Sequence, residues 1–357
     1  MPPVLLIGGV IMNRKFKIPT VAAILAILAL AVLLISSGGK EPKVPEVNKL
    51  VVYTYDAFPG ELESSIKDKF ESEGITVDLL RFEDTGGLMA QVLLEKDTPK
   101  ADVVIGLDNT YLAKAFDEDL FQPYKPADLK LVHERLLVDP EYRLVPFDYG
   151  SVVLNYDSEM LPNPPGSWAD LLDPIYKDKI ILMNPTTSSP GRNFLLFTIV
   201  EFGEDGYLDF WNALKPNILT VTAGWSEGYG LYTQGEAPIV LSYDTSPAYH
   251  IYYEKTHRYK NLIFDGKGYA QIEVAGIPKG AKNLPAAKEC MDFIVAAEFQ
   301  KLIPLTNFMY PVNPDVPLPD AFVEAKGATE IVNMDENLVS EKLDGWLTAW
   351  EDLMRRP

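Results

Sequence analysis

The sequence predicts an α/β protein built from two doubly wound units, and three observations carry this prediction. Strand-like and helical segments alternate from residue 49 onward, as they do in parallel sheets with right-handed crossovers. A second set of such segments follows residues 146–150. Polar and aromatic residues are concentrated just after short apolar runs, which is where open α/β sheets bind ligands. The 357 residues suffice for two units with separate cores.

The first unit shows a regular β-α-β-α-β order. Residues 49–55, 76–82 and 101–107 are β-branched or apolar runs that predict strands. Residues 61–73 and 88–95 have the apolar spacing of helices. Asp108 has the character of a helix cap, so it predicts a further helix over residues 109–116.

The second unit repeats this alternation. The predicted strands are residues 151–156, 180–183, 218–221, 237–241 and 269–276, and the predicted helices are residues 167–177, 190–202, 205–214, 225–234, 286–296 and 346–354. Ser189 is the expected N-cap of its helix, with Pro190 at the first helical position.

The amino terminus predicts export from the cytoplasm. Arg14, Lys15 and Lys17 precede an uncharged apolar run of 18 residues, 18–35. Such a run after basic residues is a signal peptide or a single membrane anchor, and both alternatives stay open. We expect residues 1–46 to be this segment plus a linker. The rest would lie in the periplasm or on the extracellular face of the membrane.

The charge excludes one class of partner. Residues 45–357 carry 27 basic and 50 acidic side chains, a net charge of −23. Such a surface repels phosphate backbones, so nucleic-acid binding is not expected. It could steer a cationic ligand inward, although a merely solubilising acidic surface explains it equally well.

Cysteine and histidine give no sign of a metal or cofactor. Cys290 is the only cysteine and lies at helical apolar spacing, so we expect a small buried side chain. The three histidines lack the spacing of metal sites. The sequence contains neither a phosphate-cradling glycine loop nor a Gly-x-Ser-x-Gly elbow. We therefore expect no cofactor.

Polar segments follow several predicted strands. Residues 55–56, 83–87 and 108–109 end the first three, and 242–250 follow the run 237–241. One acidic strand end is usually just a helix cap, but three in succession favour a ligand site at their shared edge. The tyrosines, carboxylate and hydroxyls of residues 242–250 could hold a cationic aromatic molecule. The alternative is an ordinary polar turn.

Two further segments are open to two interpretations. The hydroxyls and free amides of residues 186–191 could bind an anion or a neutral hydroxyl, or could simply cap a helix. Trp225 and Tyr229 share one helical face, where aromatic pairs usually pack in the core. The same pair would also form a wall for a flat cationic ring.

Together these segments resemble the periplasmic thiamine-binding proteins of ABC importers. The matching segments are residues 53–56, 83–84, 101–109, 146–150, 187–191, 224–230, 242–250 and 309–311. The resemblance implies a two-lobed type II periplasmic-binding fold that closes over its ligand, with crossover strands at residues 147–156 and 271–276. Lobe 1 would be residues 47–149 with 270–315, and lobe 2 residues 150–269 with 316–357.

The resemblance also implies a ligand site and partners. The implied contacts to thiamine are Asp84, Thr85, Ser188, Ser189, Trp225, Tyr243, Asp244, Thr245 and Ser246, with aromatic walls from Tyr55, Tyr249 and Phe308. The implied partners are thiamine or its phosphate esters and the ABC permease, and the implied receptor is a monomer. Relatives often have tryptophan at Phe308 and can have threonine at Asp244. The extra carboxylate favours free thiamine over its anionic esters.

A thiamine-degrading transferase and a ferric-ion carrier are the two alternatives to a thiamine-binding protein. Thiamine-degrading transferases share the fold but need an activated nucleophile, and Cys290 lies in a predicted buried helix. Ferric-ion carriers bind iron through a pair of tyrosines, and this chain contains Tyr252-Tyr253. The sequence shows no fitting set of further ligands for the iron. We therefore expect a binding protein rather than an enzyme, with another small solute or ferric ion as the alternative.

Overall fold

The computed structural model describes residues 48–356, so the expected signal or anchor at residues 1–46 lies outside the described residues. The strands are β1 (Lys49–Tyr55), β2 (Thr76–Phe82), β3 (Val103–Asp108), β4 (Phe121–Gln122), β5 (Val145–Asp157), β6 (Ile180–Met183), β7 (Ile218–Thr222), β8 (Ile239–Tyr243), β9 (Tyr259–Leu262), β10 (Lys267–Pro278), β11 (Tyr310–Pro311) and β12 (Glu330–Val332). The helices are α1 (Gly60–Glu71), α2 (Thr85–Leu94), α3 (Leu112–Asp117), α4 (Ser189–Leu214), α5 (Trp225–Thr233), α6 (Ser246–Tyr249), α7 (Leu284–Val295), α8 (Ala297–Gln300), α9 (Ile303–Thr306), α10 (Asp320–Ala325) and α11 (Glu336–Arg355). Within residues 48–356, no helix is both long and apolar enough to cross a membrane.

These strands form one mixed sheet, whose main path is β2-β1-β3-β10-β5-β8-β6-β7. β1 runs parallel to β2 and β3, and β6 runs parallel to β7 and β8. The two long strands β5 and β10 run antiparallel to each other and to their outer neighbours β8 and β3. They join the two parallel halves of the sheet, as predicted for residues 147–156 and 271–276.

Apolar side chains are gathered on either side of these long strands. One large cluster draws on residues 152–269 and 334–353, and two others draw on residues 50–147 and 272–312. In α1, Leu62, Ile66 and Phe70 recur every four residues and are completely buried. Each such burial contributes about 1.5–3 kcal/mol, so this apolar stripe holds the helix on the sheet.

The helix predicted over residues 167–177 is wrong. The chain forms two short 3₁₀ turns there, Asp170–Leu172 and Pro174–Tyr176. Pro174 lacks an N–H and forces the preceding residue into an extended conformation, so a longer helix cannot form. Asp173 is extended, and its carboxylate accepts a hydrogen bond from the Ile175 N–H instead.

One detail of the following helix differs from the prediction. Ser188, rather than Ser189, occupies the N-cap of α4, and Ser189 is the first helical residue. The break predicted between residues 190–202 and 205–214 is present as a kink at Gly203, where the backbone is not helical and φ is 73°. Glycine tolerates this left-handed conformation, so the two helical segments follow each other without a longer loop.

Candidate functional site

A cavity of about 780 Å³ opens beside the carboxyl ends of β1, β2 and β8. The starts of α2, α4 and α5 and the segment after α9 complete its wall. Its aromatic lining consists of Tyr55, Trp225, Tyr229, Tyr243, Tyr249, Tyr253 and Phe308, and its acidic lining of Asp56, Glu61, Asp84, Glu254 and Glu273. In the described part of the chain, no lysine or arginine lines this cavity. The site therefore combines aromatic faces with several acidic side chains.

The cavity brings together nine of the twelve residues named from the sequence. They are Tyr55, Asp84, Thr85, Ser189, Trp225, Tyr243, Ser246, Tyr249 and Phe308. Ser188, Asp244 and Thr245 are buried but do not line the cavity. The Asp244 carboxylate accepts hydrogen bonds from the backbone N–H groups of Ser151 and Ala328, at 3.3 and 3.0 Å. Asp244 thus ties strand β5 to the segment after α10.

The carboxylate of Asp84 accepts hydrogen bonds from the first residues of three helices. Its Oδ1 accepts from the N–H of Thr85 at 2.6 Å and of Ser189 at 3.5 Å, and its Oδ2 from the N–H of Trp225 at 3.1 Å. A Cβ at Gly224 would lie 2.9 Å from Oδ2, so glycine permits this approach. Burial raises the pKa of Asp84 to about 6, while the backbone hydrogen bonds act in the opposite direction. The positive ends of three helices favour the carboxylate form.

The start of α4 presents hydroxyl groups without partners. The Oγ atoms of Ser188 and Ser189 are buried and make no hydrogen bond within the described residues. Buried polar groups in folded proteins are normally satisfied, so these two hydroxyls are suited to a polar group of a ligand.

Trp225 and Tyr229 form one wall of the cavity. Their rings stack with centroids 4.7 Å apart and an interplanar angle of 17°. The Trp225 indole N–H donates to Ser242 Oγ at 2.9 Å. Tyr229 Oη lies 2.9 Å from His250 Nε2, and His250 Nδ1 lies 2.7 Å from Glu254 Oε2. The aromatic pair is therefore held by hydrogen bonds on both sides rather than by packing alone.

A second aromatic group lies at the mouth of the cavity. Tyr249 and Phe308 meet edge to face, with ring centroids 5.3 Å apart. Tyr249 is 41% exposed, so part of its ring is free to contact a ligand. Phe308 adopts a left-handed φ of 52°, in a region of the backbone that non-glycine residues seldom enter. Such strain is found preferentially at ligand sites.

The floor of the cavity is a polar network that the sequence did not reveal. Tyr55 Oη donates to Glu273 Oε2 at 3.0 Å, and Gln271 Nε2 donates to Glu273 Oε1 at 3.2 Å and to Tyr243 Oη at 2.8 Å. Asn307 Nδ2 donates to Asp148 Oδ2 at 2.5 Å. Gln271 and Glu273 interrupt the apolar strand 269–276, and this alternation was the available signal.

The third acidic strand end has a structural role instead. Asp108 accepts from the N–H and hydroxyl of Thr110 and from Asn193 Nδ2, and it does not line the cavity. Asn109 hydrogen-bonds with the backbone of β10. The edge expected from three strand ends is therefore formed by the first two.

Cys290 lies away from this site. It is completely buried in α7 and does not line the cavity. Burial raises the pKa of its thiol to about 12, so the thiolate required of a nucleophile is disfavoured.

The chain is similar to known extracellular binding proteins of bacteria. The family of bacterial extracellular solute-binding proteins matches residues 98–330. The chain belongs to this family. It is 38% identical over 317 residues to the thiamine-binding periplasmic protein of Brucella abortus biovar 1 (strain 9-941), covering 87% of this chain and 94% of that protein. It is 35% identical over 316 residues to the protein of the same description from Escherichia coli (strain K12), covering 86% and 94%.

Solved structures agree with this assignment. A periplasmic thiamin binding protein superposes with a TM-score of 0.79 at 35% identity, covering 86% of this chain and 96% of that one. The ferric binding protein from Campylobacter jejuni gives a TM-score of 0.70 at 19% identity, covering 85% and 99%. At that identity the likeness concerns the fold alone. The family resemblance and the α/β periplasmic-binding fold predicted from the sequence are both confirmed.

Proposed function

We propose that this chain captures thiamine outside the cytoplasm and delivers it to the permease of an ABC transporter. The observation that carries the proposal is the cavity itself, in which aromatic faces and carboxylates occur without any lysine or arginine among the described residues. Thiamine has a permanently cationic thiazolium ring and a flat aminopyrimidine. Relatives at 33–38% identity that bear the name of thiamine-binding periplasmic protein support the same ligand.

Each part of thiamine has a matching wall in this proposal. The stacked Trp225 and Tyr229 rings suit a flat cation, since aromatic faces attract cations by about 0.5–2 kcal/mol. Asp84 suits the cation or the exocyclic amine. The unpartnered hydroxyl of Ser189, which lines the cavity, suits the hydroxyethyl tail, whereas Ser188 is buried behind it.

Phosphate esters should bind less tightly than free thiamine. A phosphate at the tail would find the helix start of α4 and its hydroxyls, which favour an anion. It would also lie in a cavity that is lined by five acidic side chains and, within residues 48–356, by no lysine or arginine. The family resemblance implied that Asp244 contacts thiamine, but Asp244 does not line the cavity. In this arrangement Asp244 acts on the ligand only through its charge.

Further parts of the proposal concern the rest of the chain. Residues 1–46 would export the protein and anchor it if uncleaved, and the receptor would act as a monomer without catalytic activity or cofactor. Lobe 1 (47–149 with 270–315) and lobe 2 (150–269 with 316–357) would close on the ligand. The separate hydrophobic clusters on either side of the long strands support this division.

The ferric-ion alternative has little support. Tyr253 lines the cavity, but its hydroxyl donates to the Leu305 carbonyl at 3.1 Å, and Tyr252 is not among the lining residues. In residues 48–356, no group of three or more His, Cys, Asp or Glu is placed to hold a metal ion.

A thermal-shift panel tests the choice of ligand. The protein is unfolded and refolded to remove bound ligand, and is then heated with thiamine, choline, a hexose phosphate or ferric citrate. Thiamine should raise the unfolding temperature most, because a ligand at about 100 times its Kd stabilises by about 2.7 kcal/mol. Choline, a cation without rings, is the control for charge alone. A shift with ferric citrate but not with thiamine would overturn the proposal.

A further inference from the structure

Three acidic residues lie side by side across the middle of the sheet. In the registers of β3, β10 and β5, Glu273 is paired directly with Asp108 on one side and with Asp148 on the other. Residues directly opposite in antiparallel strands project from the same face. The acids Asp108, Glu273 and Asp148 therefore form a row, which we call the acidic row.

The acidic row is buried and has no counter-charge. Asp108 and Asp148 are completely buried, and Glu273 is 7% exposed and lines the cavity. Some other buried carboxylates have cationic partners, such as Asp139 with Arg143 and Asp157 with Arg258. Asp84 and Asp244 have none, but each accepts hydrogen bonds from backbone N–H groups. Within residues 48–356, none of the three acids of the row forms an ion pair. Like charges directly opposite destabilise a sheet, and buried charges normally need a partner.

Neutral groups satisfy only part of the row. Tyr55 and Gln271 donate to Glu273, and Asn307 donates to Asp148 Oδ2. Asp148 Oδ1 is buried without any hydrogen-bond partner. Because Glu273 is the member of the row that reaches the cavity, a cation bound there would supply the missing counter-charge.

We propose that Glu273 is the counter-ion that selects a cation in this cavity, and that Asp148 tunes it from the neighbouring strand. The inference rests on the proposed function for the identity of the cation. In the empty protein, the row keeps a proton that limits repulsion. Binding of the cation expels this proton to solvent, and Glu273 becomes a carboxylate facing the positive charge.

The direction of the pKa shifts agrees with this exchange. Burial, followed by the charge of Asp148, raises the pKa of Glu273 well above its usual range, and burial raises that of Asp148 to about 8. The titratable and polar groups that surround Glu273 are Tyr55 on β1, Asp108 on β3, Asp148 on β5, Tyr243 on β8, Asn193 on α4, Gln271 on β10 and Asn307 after α9, with Asp84 at the start of α2. None of them is cationic. A bound cation lowers the raised pKa, so affinity should increase as pH rises.

The chain offers a matched control for Glu273. Tyr53 Oη donates to Glu95 Oε2 at 3.1 Å, much as Tyr55 Oη donates to Glu273 Oε2 at 3.0 Å. Glu95 is also nearly buried, at 9% exposed, but it does not line the cavity. Unlike Glu273, Glu95 is paired with a cation, Lys100, at 2.7 Å. Glu95→Gln therefore removes a carboxyl from the same kind of tyrosine hydrogen bond without touching the site.

The test is a calorimetric titration of the purified protein with thiamine from about pH 6 to about pH 8.5, in two buffers of different ionisation enthalpy, which report proton release. The wild type should release protons and bind more tightly as pH rises. At the upper pH, Glu273→Gln should weaken binding at least about tenfold, because a charge-assisted contact is lost. The difference should shrink towards the lower pH, where Glu273 is protonated. Glu95→Gln should match the wild type.

Asp148→Asn is the second variant, in case Glu273→Gln does not fold. Removing the neighbouring carboxyl lowers the pKa of Glu273, so the rise in affinity should move to lower pH. The inference is overturned if the wild type binds with no proton release and a flat pH profile. It is also overturned if Glu273→Gln stays within about twofold of the wild type at the upper pH. No thiamine binding by the wild type at any pH would instead reject the proposed function itself.

Discussion

Several contacts hold the side chain and backbone of Trp225 in a position suited to bind a ring of the ligand. Its ring stacks on Tyr229, its indole N–H is held by Ser242, and its backbone N–H donates to Asp84. Ser242 Oγ in turn lies 2.7 Å from Ser246 Oγ. Ring orientation is thus fixed before any ligand arrives, which lowers the entropy lost on binding.

Two substitutions at Trp225 distinguish the contribution of its aromatic face from that of its side-chain hydrogen bond. Trp225→Ala should weaken thiamine binding about tenfold or more, because both the cation–π contact and the apolar contact area are lost. Trp225→Phe is the matched variant, since it keeps an aromatic face but loses the bond to Ser242. It should weaken binding less. Both variants are titrated with thiamine. Equal affinities of Trp225→Ala and Trp225→Phe would contradict this account.

The helices α2 and α4 are the elements that shape the cavity most closely. The Gly86 N–H donates to the Thr187 carbonyl at 3.1 Å, which joins the first turn of α2 to the loop that enters α4. A Cβ at Gly86 would lie 2.5 Å from that carbonyl oxygen. At Gly87, the nearest atom would be the Phe82 Cβ at 3.9 Å, an ordinary contact. Two adjacent glycines therefore have different roles.

This difference gives a prediction about the helix contact. Gly86→Ala should destabilise the protein by about 1–3 kcal/mol and weaken thiamine binding, because backbone must move away from backbone. Gly87→Ala should leave binding unchanged and slightly increase stability, by up to about 1 kcal/mol, since alanine favours the helix. Denaturant unfolding and ligand titration measure both effects. Equal behaviour of the two variants would contradict the close approach.

Elements were predicted from the sequence more reliably than contacts between them. The bounds of β1, β2 and β6 are those predicted, because each is a clear apolar or β-branched run. Asp84 could be placed at a ligand edge because it follows a strand, whereas the family resemblance was needed to choose a ligand contact over core packing for Trp225. The acidic row could not be predicted, since it depends on the registers of three strands that are distant in sequence. The structural role of Asp108 could not be predicted for the same reason, since its partner Asn193 lies on α4, which is distant in sequence.

At the scale of the whole molecule, the receptor combines a negatively charged chain with a cavity that no lysine or arginine of residues 48–356 lines. The long strands β5 and β10 join the two parallel halves of the sheet and carry Asp148 and Glu273 of the acidic row, while β3 carries Asp108. The floor of the site therefore lies where the two halves meet. Under the proposed function, charge and ring shape would determine selectivity, rather than phosphate recognition.

The central claim is capture of a cationic ring system, and calorimetric titration of the refolded protein with thiamine tests it most directly. The account predicts one-to-one binding of thiamine, with the monophosphate and the diphosphate each binding less tightly. Absence of thiamine binding would contradict the proposed function, and tighter binding of the diphosphate would contradict the electrostatic basis of selectivity.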